Sequence, residues 1–161
     1  METLRNLGDL LGAALAIEEK GSEFYKKAAG IAKDALAQQL FLDLVQWEND
    51  HYAKFNKMLE SLPPKERWAV DMGEGLDIES IMASGAIKLT REPAGLLKGD
   101  EEPEEILDLA VSLERDSIVF YMFLRGIVPV VDRKKEIDGI VLEEIGHVKQ
   151  LEAMRERLTA G

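Results

Sequence analysis

Residues 48–51 read Glu48-Asn49-Asp50-His51, and residues 144–147 read Glu144-Ile145-Gly146-His147. The chain has two histidines, and each follows a Glu by three residues. Glu occupies 20 of the 161 positions. A Glu three before both histidines therefore has a chance of roughly one or two in a hundred. Thirty residues before each of these Glu residues stands another, Glu18 and Glu114. Seven residues after each of those stands a tyrosine, Tyr25 and Tyr121. The matched spacings mark an internal duplication that predicts one metal site made of four carboxylates and two imidazoles.

The stretches around these residues carry apolar side chains at alternating steps of four and three, the seam of a helix packed nearly parallel to its neighbours. About 7–30 the seam is Leu7, Leu11, Ala14, Glu18, Gly21, Tyr25 and Ala28. About 34–61 it is Ala37, Phe41, Leu44, Glu48, His51, Phe55, Met58 and Leu62. About 101–125 it runs Leu107, Ala110, Glu114, Ser117, Tyr121 and Leu124, and about 133–158 it runs Ile137, Ile140, Glu144, His147, Leu151, Met154 and Leu158. The polar residues of the motif thus sit where Leu is expected.

Breaks are written between the seams. Gly30 and Lys33-Asp34 separate the first two, with Asp34 as a candidate N-cap. Pro63-Pro64 ends the second helix, and Gly126 with Pro129 closes the third. The acidic run Asp100 to Glu105, with Pro103 inside it, suits a helix start. Residues 63–100 are too long for a hairpin loop. They can run back along a helix of about 25 residues, roughly 38 Å. They are read as a crossover that leaves helices two and three parallel, with one short helix at 77–84. The expectation is an all-α, single-domain four-helix bundle of two antiparallel hairpins.

In an antiparallel hairpin, residues equidistant from the turn are level. Glu18 and Glu48 are centred on position 33, and Glu114 and Glu144 on position 129, so each hairpin sets two Glu residues at one height. Glu48 and His51, like Glu144 and His147, lie one turn apart on one face. Four carboxylates in a dry core need compensating charge. Two divalent cations balance them, and the oxygen and nitrogen donors suit iron or manganese. Tyr25 and Tyr121 are placed to hydrogen-bond a ligand carboxylate of the opposite hairpin. Glu19 and Glu143 point about 100° away from the ligands and are read as solvated. Trp47, Phe24, Phe120 and Phe123 are read as packing between helices, and Arg133 to Lys135 as a solvated helix start.

Composition narrows the function classes. A net charge of −11 argues against nucleic acid and against anionic membrane surfaces. No apolar run approaches a membrane span, and no basic-then-apolar leader opens the sequence. With no Cys, disulfides, thiol nucleophiles and cysteine-held iron are excluded within these residues. A cytoplasmic setting is expected.

With Ala16-Ile17-Glu18-Glu19-Lys20-Gly21-Ser22-Glu23-Phe24-Tyr25, Trp47-Glu48-Asn49-Asp50-His51 and their second-half counterparts, the sequence resembles the rubrerythrin branch of the ferritin-like superfamily. The resemblance implies a site for two iron ions, with manganese or zinc as alternatives. Glu18 and Glu114 would be terminal ligands, Glu48 and Glu144 bridges, and His51 and His147 would each hold one ion. It implies an oxidoreductase that answers oxidative stress by reducing hydrogen peroxide, with electrons from a separate rubredoxin-like protein because the chain lacks cysteine. Rubrerythrins tend to carry one more Glu three residues after the third-helix ligand. Here Ser117 stands there, and Gly21 at the matching place in helix one, a symmetric pattern closer to bacterioferritin that leaves ferroxidase chemistry with dioxygen open. Manganese catalase chemistry and a purely structural metal also stay open, and a homodimer is expected, with Trp68, Val70, Ile78 and Ile81 covering the bundle or forming the contact.

Overall fold

The computed structural model describes residues 6–64 and 92–160. These form four α-helices and no strand: α1 Leu7–Ile31, α2 Ala35–Glu60, α3 Pro103–Ile127 and α4 Val131–Thr159, with a 3₁₀ turn at Pro93–Leu96 before α3. The expected helix at 77–84 and the apolar residues Trp68, Val70, Ile78 and Ile81 lie outside the described residues. No described helix is long and apolar enough to cross a membrane.

The helix ends follow from side-chain capping. Asn6 accepts a hydrogen bond from the Asp9 N–H at 2.9 Å, and Asp34 accepts one from the Ala37 N–H at 2.8 Å. Each satisfies a donor that the first turn cannot pair internally. Pro103 opens α3, where its missing N–H costs nothing, and the Glu105 carboxylate accepts from the Glu102 N–H at 2.9 Å. Gly99, ahead of α3, takes a positive φ (104°) that favours glycine, and Glu101 accepts from its N–H at 2.9 Å. Gly126 does not stop α3, which runs on to Ile127. The chain leaves the helix at Val128, beside Pro129, and α4 opens two residues earlier than Arg133.

The turns Ala32–Asp34 and Val128–Val130 are centred on positions 33 and 129, the midpoints of the two Glu pairs. α1 packs on α2, and α3 on α4, as antiparallel hairpins. α1 also packs on α3: Tyr25 reaches Glu114 while Tyr121 reaches Glu18, so these helices are antiparallel. α2 packs on α4, where Trp47 meets His147 and Lys54 meets Glu143, again antiparallel. α2 and α3 therefore run parallel, the arrangement a crossover requires.

The core has two apolar layers. One contains Leu7, Leu11 and Ala14 of α1 with Phe55, Phe120, Leu124 and Ile137. The other contains Phe24 and Ala28 with Phe41, Leu44, Leu107 and Leu151. Every expected seam residue of α2 and α3 is buried, as are those of α1 and α4 apart from Gly21, Met154 and Leu158, which are partly exposed. Burying each large apolar side chain contributes about 1.5–3 kcal/mol. That stabilises the bundle around a polar layer which by itself favours water.

Candidate metal centre

Between the two apolar layers lie Glu18, Glu48, His51, Glu114, Glu144 and His147, none more than 4 % exposed. Their donor atoms form two groups. Glu18, Glu48, His51 and Glu144 bring one atom each within 4.8 Å of one another, and so do Glu48, Glu114, Glu144 and His147. Glu48 and Glu144 belong to both. Two positions that share two carboxylates, each with a Glu and a His of its own, make a geometry that could hold two neighbouring metal ions.

Helix periodicity builds this arrangement. The i, i+3 spacing puts His51 beside Glu48 and His147 beside Glu144. The hairpin midpoints bring Glu18 level with Glu48 and Glu114 level with Glu144. Glu144 sits between the two rings, with Oε1 3.1 Å from His51 Nδ1 and Oε2 2.8 Å from His147 Nδ1. The same Nδ1 atoms face the unshared acids, His51 at 3.7 Å from Glu18 and His147 at 3.6 Å from Glu114. Tyr25 donates its hydroxyl to Glu114, and Tyr121 donates its own to Glu18. Each tyrosine rises from one apolar layer and fixes an acid of the opposite hairpin.

Electrostatics shows what the cluster calls for. Burial, reinforced by the Glu144 charge, raises the Glu18 carboxyl well above the usual range. Burial and the Glu18 charge do the same to Glu48. Burial and Glu144 push Glu114 up to about 8. Burial also opposes ionisation of Glu144, but its hydrogen bonds to Glu114 and both histidines outweigh that and hold it below the usual range. Burial disfavours charged imidazoles, yet the neighbouring acids raise His51 and His147 to about 9. The six groups together thus call for compensating positive charge, which two divalent cations would provide. Glu18 Oε2 is the one fully buried side-chain oxygen among the described residues with no hydrogen-bond partner. A buried acceptor with nothing to accept from is costly. Oxygen and nitrogen donors without thiolate fit iron or manganese, so residues and group agree.

Two openings reach the cluster. Between α1 and α3 a narrow cleft is floored by Glu48 and Glu114, passes Gly21 and Ser117, and opens near Lys20 and Pro93. Lys20 pairs with Glu92 at 3.2 Å near its mouth. Gly21 leaves the room that Glu48 occupies there, because a Cβ on it would lie 2.5 Å from Glu48 Oε2. Between α2 and α4 a wider, more open groove reaches His147, Trp47 and Glu143.

Three residues matter here in ways the sequence pattern did not reveal. Glu143 is half-exposed, as expected of a surface acid, yet its carboxylate lies 2.6 Å from His51 Nε2 and 2.8 Å from Lys54 Nζ. Trp47 does more than fill space between helices: it stacks on His147, with centroids 4.8 Å apart and planes 9° apart. Gly21 makes room for Glu48. Trp47 and Glu143 each stand one residue before a shared Glu, and that position was the available signal.

Residues 9–76 match the rubrerythrin family model. The whole chain is similar to the crystal structure of a candidate ferritin-like diiron-carboxylate protein from Thermotoga maritima. The identity is 25%, the TM-score 0.72, and the match covers 97% of this chain and 98% of that one. A hypothetical protein from Pyrococcus furiosus shares the fold at 24% identity and a TM-score of 0.69, over 96% of this chain and 91% of that one. No curated protein matches.

Proposed function

We propose that the chain, whose residues 9–76 match the rubrerythrin family model and whose fold is ferritin-like, is a di-iron oxidoreductase that reduces hydrogen peroxide to water with electrons from an external donor. The observation that carries this reading is the pair of donor groups sharing Glu48 and Glu144. Glu18 and His51 would hold one ion, and Glu114 and His147 the other. Bound there as ferrous ions, the pair supplies the two electrons that, with two protons, convert one peroxide into two waters.

The remaining work belongs to the chain. Tyr25 and Tyr121 keep Glu114 and Glu18 oriented by hydrogen bonds in a water-poor layer. The cleft between α1 and α3 admits a small oxidant to the edge formed by Glu48 and Glu114. An external donor such as a rubredoxin-like protein would return the electrons; these 161 residues contain no cysteine for a thiolate-held iron of that kind.

One observation favours a second reading. Gly21 and Ser117 line the cleft where a further carboxylate would otherwise reach the ions, and Ser117 turns its hydroxyl to the Leu113 carbonyl at 3.1 Å. A ligand set without that fifth acid suits oxidation of ferrous iron by dioxygen, as in bacterioferritin. Anaerobic loading with two ferrous ions per chain, then rapid mixing with peroxide or dioxygen while ferric absorbance is followed, separates the two. Peroxide much faster than dioxygen supports the peroxidase. Dioxygen at least as fast moves the reading to a ferroxidase. Inertness to both refutes each of them and leaves a structural zinc or a manganese site.

A further inference from the structure

The ligands repeat at a separation of 96 residues, as do Tyr25 and Tyr121, but the residues beside the histidine rings do not. Trp47 has Glu143 as its counterpart, and Lys54 has Gln150. In each half the residue before the shared Glu crosses to the other hairpin's histidine. Trp47 offers His147 only a ring face. Glu143 offers His51 a directional hydrogen bond to Nε2 at 2.6 Å. Lys54 then holds both oxygens of Glu143, at 3.0 and 2.8 Å. Among the described residues nothing hydrogen-bonds Nε2 of His147.

We propose that the two metal positions are inequivalent, with Glu143 as the positioning residue that makes the Glu18/His51 position the tighter one. The proposal rests on the dimetal reading above. When Nε2–H donates to a carboxylate, the tautomer is set so that the Nδ1 lone pair faces the ion. The bond also fixes the rotation of the ring and strengthens Nδ1 as a donor. The stack on Trp47 restrains the plane of His147 but sets neither its tautomer nor its basicity. The ligand set is symmetric; its supports are not.

Stepwise anaerobic addition of cobalt(II) to the metal-free full chain, read by visible absorption and calorimetry, tests this. Two unequal steps are expected, with the first about 10- to 100-fold tighter. Glu143→Gln keeps the shape but weakens the acceptor, so it should bring the first step down towards the second. Trp47→Phe should leave the first step in place. Asp50→Asn removes an exposed charge from the same face without touching His51, and should leave the ratio of the steps unchanged. Two equal steps in the unaltered chain overturn the proposal. So does a Glu143→Gln effect that weakens both steps alike and is matched by Asp50→Asn. If no cobalt binds at all, the dimetal reading beneath it fails as well.

Discussion

Gly21→Ala separates the stability of the bundle from the competence of its centre. In an exposed helix interior the change would stabilise the fold by about 0.5–1 kcal/mol, through lower chain entropy and better helix propensity. Here the new Cβ meets Glu48 Oε2 at 2.5 Å and its Cδ at 3.1 Å, with ordinary contact beginning at 3.4 Å. The obstacle is the end of a flexible side chain. The backbone can stay, and the carboxylate must retreat by about 0.9 Å, the difference between those contact distances. Glu48 is common to both donor groups, so its displacement weakens both positions, by about 10- to 100-fold for a disturbed ligand environment. Gly12, on the same helix with nothing within 4 Å of its Cβ site, is the matched control. Denaturant unfolding of the metal-free protein should show both variants at least as stable as the parent. Metal binding followed by calorimetry should show the loss in Gly21→Ala alone. If Gly21→Ala binds two ions with unaltered affinity, Glu48 is not a shared ligand in the conformation described.

Other outcomes follow from the same geometry. Glu144→Ala removes a donor common to both groups and should leave the chain with neither ion, whereas Glu18→Ala should leave one; metal content per chain after desalting decides this. Tyr121→Phe takes the hydroxyl from buried Glu18 and should destabilise the protein by about 1–3 kcal/mol while weakening the Glu18/His51 position more than its neighbour, with Tyr25→Phe giving the mirror image. Unfolding and calorimetry on both variants check that pair. The metal-free protein should lose stability as pH rises from about 4.5 to 9. Glu114 is raised to about 8 and His51 and His147 to about 9, so each stabilises the fold when protonated and ceases to as pH passes its folded value. Glu144, shifted the other way, affects stability only below the ordinary carboxylate range. The metal-induced rise in melting temperature should therefore grow with pH across that window, as fewer protons need displacing. A rise that shrinks between pH 6 and 9 would contradict this.

The helices and the convergence of their polar residues were readable because both depend on local rules. A 3.5-residue rhythm assigns one face, and two Glu residues equidistant from a turn must meet. Positions 33 and 129 thus follow from the spacing of the Glu pairs alone. Glu143 and Trp47 escaped for a geometric reason. One step along a helix turns a side chain by about 100°, off the seam and towards whichever helix lies alongside. Which helix that is, and at what height, depends on how the two hairpins dock, and no single helix's period contains it. Gly21 escaped differently: its role is the volume that Glu48 occupies, and a missing side chain leaves no pattern.

The polar layer between two apolar ones also works as a ruler during assembly. Each hairpin closes over a three-residue turn, a local event that needs no long loop to order. Docking the second hairpin is the non-local step, and many sliding offsets would bury similar amounts of Leu, Ile and Phe. A slip of one helical turn, about 5.4 Å, would drive Glu114 and Glu144 into hydrocarbon and strand Glu18 and Glu48 without their tyrosine and histidine partners. Misaligned buried charge costs several kcal/mol per group, far more than the offsets differ in apolar contact. The same acids that disfavour a dry interior thereby leave the two halves one alignment in which to close.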